Sequence, residues 1–230
     1  MSHLLTAGIL QQARNLAKPS IPIDNMIAWY NADNVIESGG AISQLVDISG
    51  NGYNANSGAN KAALIQNSWN GKPVIRFTRS QNNYYRTAPF GPYSQPNTLF
   101  VVWKKTFSDF GTICDGLITT SVRNGLRHSG LQMNAFAGGG VAYDVPAPFS
   151  ILSTIVYNGG SSSIFENGVL KNTGNIGALA NGGLTIGTLA NEQPAYALEG
   201  DLAEIIIYNN LFTDSERQQI ESYLMTKYAL

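Results

Sequence analysis

This chain has one cysteine, Cys114, and two histidines in 230 residues. A lone cysteine excludes an intrachain disulfide, and its ordinary place is as a small buried apolar residue. His3 and His128 stand far apart, and no His-x-x-x-His pair exists, so zinc hydrolysis has no ligand set. There is no Gly-x-Ser-x-Gly elbow for a serine nucleophile, and no glycine-rich loop leads from a strand into a helix to cradle phosphate. Charge is scarce as well: 13% of residues are charged and the net charge is -1. With no Lys/Arg cluster to release counterions from phosphates, nucleic acid is not an expected partner. No apolar run approaches the roughly 20 residues that span a bilayer. The first residues lack the charged and apolar regions of a secretion signal.

What is present is glycine, 24 residues of it, together with much Asn and Ser. That mixture suits short strands joined by tight turns better than helices, which favour Leu, Glu and Lys. The length suits one large domain plus a short extension. Residues 1–23 read as a helical arm, with Leu5, Ile9, Ala13 and Leu16 on one stripe and Pro19 and Pro22 ending it. From Asp24 onward, apolar or β-branched runs alternate with turn signals: Met26–Tyr30, Val74–Phe77, Thr98–Trp103, Ile151–Tyr157, Ser163–Phe165 and Leu184–Ile186. Asn167-Gly168 between two such runs predicts a type I′ hairpin, which needs positive φ at both central residues. The glycine-broken stretch Ser121–Pro148 has no assignable strands.

The closing residues Tyr196–Leu230 read most completely. Leu202–Tyr208, with Ile205-Ile206-Ile207, suits a strand buried on both faces. Thr213 and Glu216 have capping-box spacing, and Ile220, Tyr223, Leu224 and Tyr228 form one apolar stripe behind it. Arg217, Gln218, Glu221 and Lys227 are expected to face away. The run Gly200–Glu216 resembles the closing segment of the concanavalin A-like lectin/glucanase (laminin-G-like) jelly-roll family. Trp29-Tyr30, Asp47–Gly52, Asn70–Phe77, Phe165–Gly168 and Leu184–Gly187 are similar to that family's earlier landmarks, in the expected order. The resemblance implies an all-β, antiparallel two-sheet jelly-roll β-sandwich over residues 24–230, with the N-terminal helical arm and a C-terminal capping helix. It does not choose among lectin, glycosidase and adhesive domain.

Three sets of residues could carry chemistry. Glu199, Asp201 and Glu204 match the Glu-x-Asp-x-x-Glu pattern of laminarinase-like glycosidases, but Glu199 and Glu204 could converge only across a β-bulge. They are read as the start of a structural strand. Asp47, Ser49 and Asn51 place oxygen side chains at alternate positions before a glycine, as calcium loops do, and calcium is the one ion to be tested there. The aromatics Tyr84, Tyr85, Phe90, Tyr93 and Tyr143, with Arg86 and Asp144 beside them, are the expected ligand-binding face, a ring taking the apolar side of a sugar. The expectation is therefore a non-catalytic attachment protein whose jelly roll binds glycan, a cell-surface polymer or protein, alone or as a homo-oligomer. The family usually works outside cells, and a bacteriophage virion component, held to other virion subunits by the arm, reaches the outside without a signal peptide. A secreted bacterial carbohydrate-binding module and a glycoside hydrolase are the alternatives.

Overall fold

The computed structural model describes residues 21–106, 110–117, 122–145 and 150–230. The helical arm expected before Pro19 lies outside them. Seventeen strands and one α-helix occur among the described residues. In chain order the strands are β1 (Met26–Asn31), β2 (Val35–Ser38), β3 (Ala41–Leu45), β4 (Ala55–Ser57), β5 (Ala63–Trp69), β6 (Lys72–Phe77), β7 (Tyr85–Thr87), β8 (Asn97–Lys105) and β9 (Gly111–Asp115). They continue as β10 (Gly125–Ser129), β11 (Gln132–Phe136), β12 (Gly140–Asp144), β13 (Ser150–Tyr157), β14 (Ser162–Glu166), β15 (Val169–Gly174), β16 (Thr185–Ile186) and β17 (Gly200–Tyr208). The helix, α1, is Asp214–Tyr228.

All strand pairings between these elements are antiparallel, and they form one connected network. One run of pairs passes β15, β14, β13, β8 and β17, whose far side is shared by β6 and β1. The other passes β12, β11, β10, β9, β16, β7, β4, β3 and β2. The runs meet where Ala41 of β3 pairs with Ala63 of β5, which β6 joins to the first run. Two separate sheets were expected; the pairing describes one large antiparallel sheet curled nearly closed on its core.

The main core collects side chains from both runs, including Tyr30, Phe77, Tyr85, Trp103, Cys114, Leu126, Ile186, Ile205 and Ile207. A second, smaller core lies between α1 and the outer side of β8 and β17, built from Phe100, Val102, Ala203, Ile206, Tyr208, Ile220, Leu224 and Tyr228. This division explains why β17 is apolar without alternation: every one of its nine residues is buried, one face against the main core and the other against the helix. A bulge between Leu202 and Glu204 keeps both faces filled. It lets Leu202 share the main core with Ile205 and Ile207, three and five residues on.

The helix begins as its spacing predicts, with Thr213 accepting from the Glu216 amide and the Glu216 carboxylate accepting from the Thr213 amide. Its polar side chains depart from expectation. Arg217 and Glu221 are buried, paired with each other one turn apart, and Arg217 stacks over the Phe165 ring at 3.7 Å. Lys227 reaches Glu204 of β17 at 2.7 Å. The helix therefore docks through ion pairs at the margin of its apolar stripe, which is why its hydrophobic pattern is weak.

Asn167 and Gly168 both have positive φ, 47° and 78°, and join β14 to β15 as the hairpin predicts. The unassigned stretch contributes β10, β11 and β12, an antiparallel meander at the end of the second run. His128 is buried near the end of β10 and stacks on Trp103 at 5.7 Å.

Candidate functional site

α1 covers the outer side of the first run, whereas the outer side of the second run carries a row of polar side chains. Gln44, Asn56, Arg86, Thr185 and Asp115 follow one another in register across β3, β4, β7, β16 and β9, so their side chains share one face. Neighbours bond along the row: Gln44 Nε2 donates to Asn56 Oδ1 at 2.8 Å and Arg86 Nε to Thr185 Oγ1 at 3.2 Å. The middle is roofed by the segment after β16. Arg86 donates to the Ala190 carbonyl at 2.7 Å and to Glu192 at 2.6 Å, and Asp115 accepts from the Ala190 amide at 2.9 Å. Thr185 and Asp115 are consequently buried, while Asn56 is exposed and Gln44 and Arg86 are half-exposed.

Each side of this roof carries aromatic and basic groups. On the β7 side, Tyr84 lies beside Arg86, whose guanidinium is 5.4 Å from the ring centroid. Burial first, then the hydrogen bond and charge of Glu192, push the Tyr84 phenol up. On the β10 side, Arg123 makes a two-pronged bond to the buried Asp115, both contacts 2.7 Å. Phe136 of β11 pairs in register with Gly125 of β10, and a Cβ at Gly125 would lie 2.2 Å from the ring. Arg123 and Arg127 lie 4.9 and 5.1 Å from the centroid of that ring. These three side chains, with Gly138, Gly139 and Leu179, line a recess of about 320 Å3. A further open recess of about 660 Å3 is lined by Arg79, Ser80, Thr106, Pro194 and Glu199. Near it Tyr196 meets Phe110 edge-on at 5.8 Å.

The expected aromatics are not brought together. Tyr84 and Arg86 stand on the polar face. Tyr85, one residue between them, points the other way into the core, its hydroxyl accepting from the Ala62 amide and donating to the Ile42 carbonyl. Strand alternation forces that split, so Tyr85 offers no ring to a ligand. Phe90 and Tyr93 form a separate cluster with Tyr53, in which Phe90 is buried and only Tyr53 and Tyr93 are partly open. Tyr143 is buried in β12 against the main core, where desolvation pushes its phenol up, and Asp144 beside it is exposed. Both sit in a strand, with Tyr143 turned away from any ligand-binding face.

The loop Asp47–Asn51 is bonded to the protein itself. Asp47 Oδ1 accepts from the Trp29 and Ser49 amides, and Oδ2 from the Tyr53 amide and the Ser49 hydroxyl. Those four donors account for the four lone-pair directions of a carboxylate. Asn51 turns its amide nitrogen toward the Met26 and Ile27 carbonyls. Among the described residues no group of three or more His, Cys, Asp or Glu side chains is placed to hold a metal.

The three acids of the glycosidase-like pattern also diverge. Glu199 accepts from the Arg79 amide at 2.6 Å beside the wider recess. Asp201 is buried at the start of β17 and held by both prongs of Arg76. Glu204 is buried beneath α1, accepting from Trp29 Nε1, Lys227 Nζ and the Tyr228 hydroxyl. The bulge that convergence would require is present, but it turns Glu204 toward the helix.

Sequence reading missed Gln44, Asn56, Thr185, Asp115, Arg123, Arg127 and Phe136. Asn56 and Thr185 sit in strands of three and two residues, too short to show alternation. A glycine in β10 opposite an aromatic in β11 was the available signal, but reading it requires knowing that the two strands pair.

No protein-family model matches the sequence, and no curated protein does. Solved structures share the fold. Domain 4 of AbnA, a GH43 extracellular arabinanase from Geobacillus stearothermophilus solved with arabinotriose, aligns with a TM-score of 0.62 at 14% identity, over 86% of this chain and 98% of that one. Botulinum neurotoxin type C, which depends on interaction with two ganglioside molecules to enter cells, aligns at 0.63 and 13% identity over 88% of this chain. Trypanosoma rangeli sialidase, in complex with a difluorosialic acid, aligns at 0.55 and 14% over 90% of this chain. This chain spans 52% of the neurotoxin chain and 34% of the sialidase chain. At these identities the likeness is one of fold.

Proposed function

We propose that this chain is a non-catalytic glycan-binding domain of the two-sheet jelly-roll kind, acting in attachment to a glycan-bearing surface. The observation that carries the reading is the polar row on the face opposite α1, with Tyr84 and Arg86 on one side of its roof and Arg123, Arg127 and Phe136 on the other. Sugars are held by such pairings, hydroxyls by amides and guanidinia and the apolar ring face by an aromatic. The full-length likeness to a domain solved with arabinotriose adds support, as does the partial likeness to a ganglioside-dependent neurotoxin. The two long strand runs, linked through a single pair at Ala41, favour the two-sheet description. A non-catalytic role is favoured by Glu204, whose carboxylate is enclosed by α1 and its partners.

The surface role is read as that of a bacteriophage virion component of the decoration, fibre or spike type, with residues 1–23 as the arm. Its support is the apolar stripe of Leu5, Ile9, Ala13 and Leu16 ahead of the domain. Detection of the chain in purified particles, lost when residues 1–18 are removed, is the expected result; a chain absent from particles sinks the virion role.

A glycan array run with calcium and again with a chelator tests the binding reading. Binding is expected in both conditions, because the Asp47 carboxylate is already filled by protein donors. Tyr84→Ala and Asn56→Ala should each weaken it about tenfold where their side of the roof is used, on the order of one lost stacking or hydrogen-bond contact. No binding to any glycan in either condition overturns the proposal.

A further inference from the structure

Arg127 is the cation of the 320 Å3 recess that lacks a carboxylate. Its neighbour Arg123 has both prongs committed to Asp115, a fully buried acid, so that pair is close to neutral as seen from the recess. Among the described residues no acidic group pairs with Arg127, whose guanidinium lies over the Phe136 ring. Directly across β11 stands Asn134, in register with Arg127 and therefore on the same face. Phe136 and Leu179 supply apolar walls, and the floor is kept open by Gly138 and Gly139. A Cβ at Gly139 would meet the Asn175 carbonyl at 2.9 Å, so that position is confined to glycine by packing.

We propose that this recess takes one acidic sugar residue, its carboxylate on the Arg127 guanidinium and its apolar ring face against Phe136. The proposal rests on the glycan-binding reading and names the ligand class of one part of that face. A guanidinium presents parallel N–H donors that match a carboxylate, and a partly dry recess strengthens the pair relative to one in open water. A single uncommitted cation favours one carboxylate per binding event over a polysulfated chain, which calls for several free Lys or Arg side chains; among the described residues of this face Arg86 and Arg123 are already paired with Glu192 and Asp115.

The test is an array of four glycan classes, namely sialylated, uronic acid-containing, sulfated and neutral, probed with the full chain and with Arg127→Gln, Arg127→Lys and Phe136→Ala. Carboxylated glycans should bind above neutral and sulfated ones. Arg127→Gln should lose about tenfold or more of that binding, the range for one charge-assisted contact, with an unchanged melting temperature. Arg127→Lys should recover only part of it, since the charge returns without the fork. Phe136→Ala should weaken the same class. Neutral glycan binding that is indifferent to Arg127→Gln, with no preference for acids, overturns the acidic-sugar site and leaves the broader reading standing. Preference for sulfated glycans overturns the site as well. Binding to no class overturns both.

Discussion

At the scale of single residues, Glu204 shows how a catalytic-looking pattern becomes a structural one. Its oxygens accept from Trp29 on β1 and from Lys227 and Tyr228 on the helix, so one buried carboxylate ties three elements together. Removing one member of a buried ion pair leaves the other charge uncompensated, at a cost of about 3–5 kcal/mol. Glu204→Ala should therefore lower stability by about that much in urea unfolding, and adding Lys227→Met should restore part of the loss. The same position separates the two readings of the acids. Wild-type cleavage of a polysaccharide, abolished by Glu204→Gln in a protein that still folds, would restore the enzymatic one. Gly187 is constrained differently. It sits at φ 92°, and a Cβ there would lie 2.3 Å from Phe77 Cε1 and 2.9 Å from the Asn83 carbonyl. Gly187→Ala combines a disfavoured dihedral with a clash in the core and should cost about 1–3 kcal/mol, read as a lower urea midpoint with an unchanged slope.

At the scale of elements, the capping box and the bulges mark the two ends of what sequence reveals. The cap was legible because Thr213 and Glu216 act through chain neighbours only, and the spacing alone specifies the bonds. Thr213→Ala should lower the stability of the domain by about 1 kcal/mol. Hydrogen bonds from the Thr213 amide and hydroxyl hold the Glu216 carboxyl below its ordinary value of 4.5. That contribution is present above pH 4.5 and is lost as pH falls through the depressed folded value, so the Thr213→Ala difference should shrink in acid. The bulges were not legible. Ala203 in β17 and Ile113 in β9 each add one residue that shifts the in/out count, and no composition marks either. The Ile113 bulge keeps Ile113 in the core and sets Thr112 opposite Arg127, whereas Asp115 reaches the face of Arg127 by simple alternation from the Cys114–Leu126 pair. The Ile205-Ile206-Ile207 run announced burial on both faces but could not say that a helix covers one of them and the core the other. Arg217, Glu221 and Lys227 hid that arrangement, since buried ion pairs on a helix read from sequence as a solvated face.

At the scale of the whole molecule, the phenols divide between two cores and supply a collective test of the packing. Tyr85 and Tyr157 are buried in the main core, Tyr208 and Tyr228 in the core under α1. Burial pushes each of these phenols above the ordinary value of 10.0, and the Glu204 charge adds to the shift at Tyr208 and Tyr228. A raised folded-state value means that the native protein keeps protons the unfolded chain gives up. Below pH 10 both states hold the phenols neutral and the stabilisation is complete. As pH rises above 10 the unfolded chain ionises while the native one resists, so stability falls steadily toward the raised folded values. The urea midpoint should accordingly be flat between pH 7 and 9 and drop steeply by pH 11. Absorbance at 295 nm should show the buried phenols Tyr85, Tyr157, Tyr208 and Tyr228 ionising only together with loss of far-UV signal. Because Tyr208 and Tyr228 sit under the helix, a variant with a weakened dock, such as Leu224→Ala, should release its buried phenols at lower pH than the wild type. A titration in which Tyr85, Tyr157, Tyr208 and Tyr228 ionise near pH 10 with the fold intact would contradict the packing of both cores.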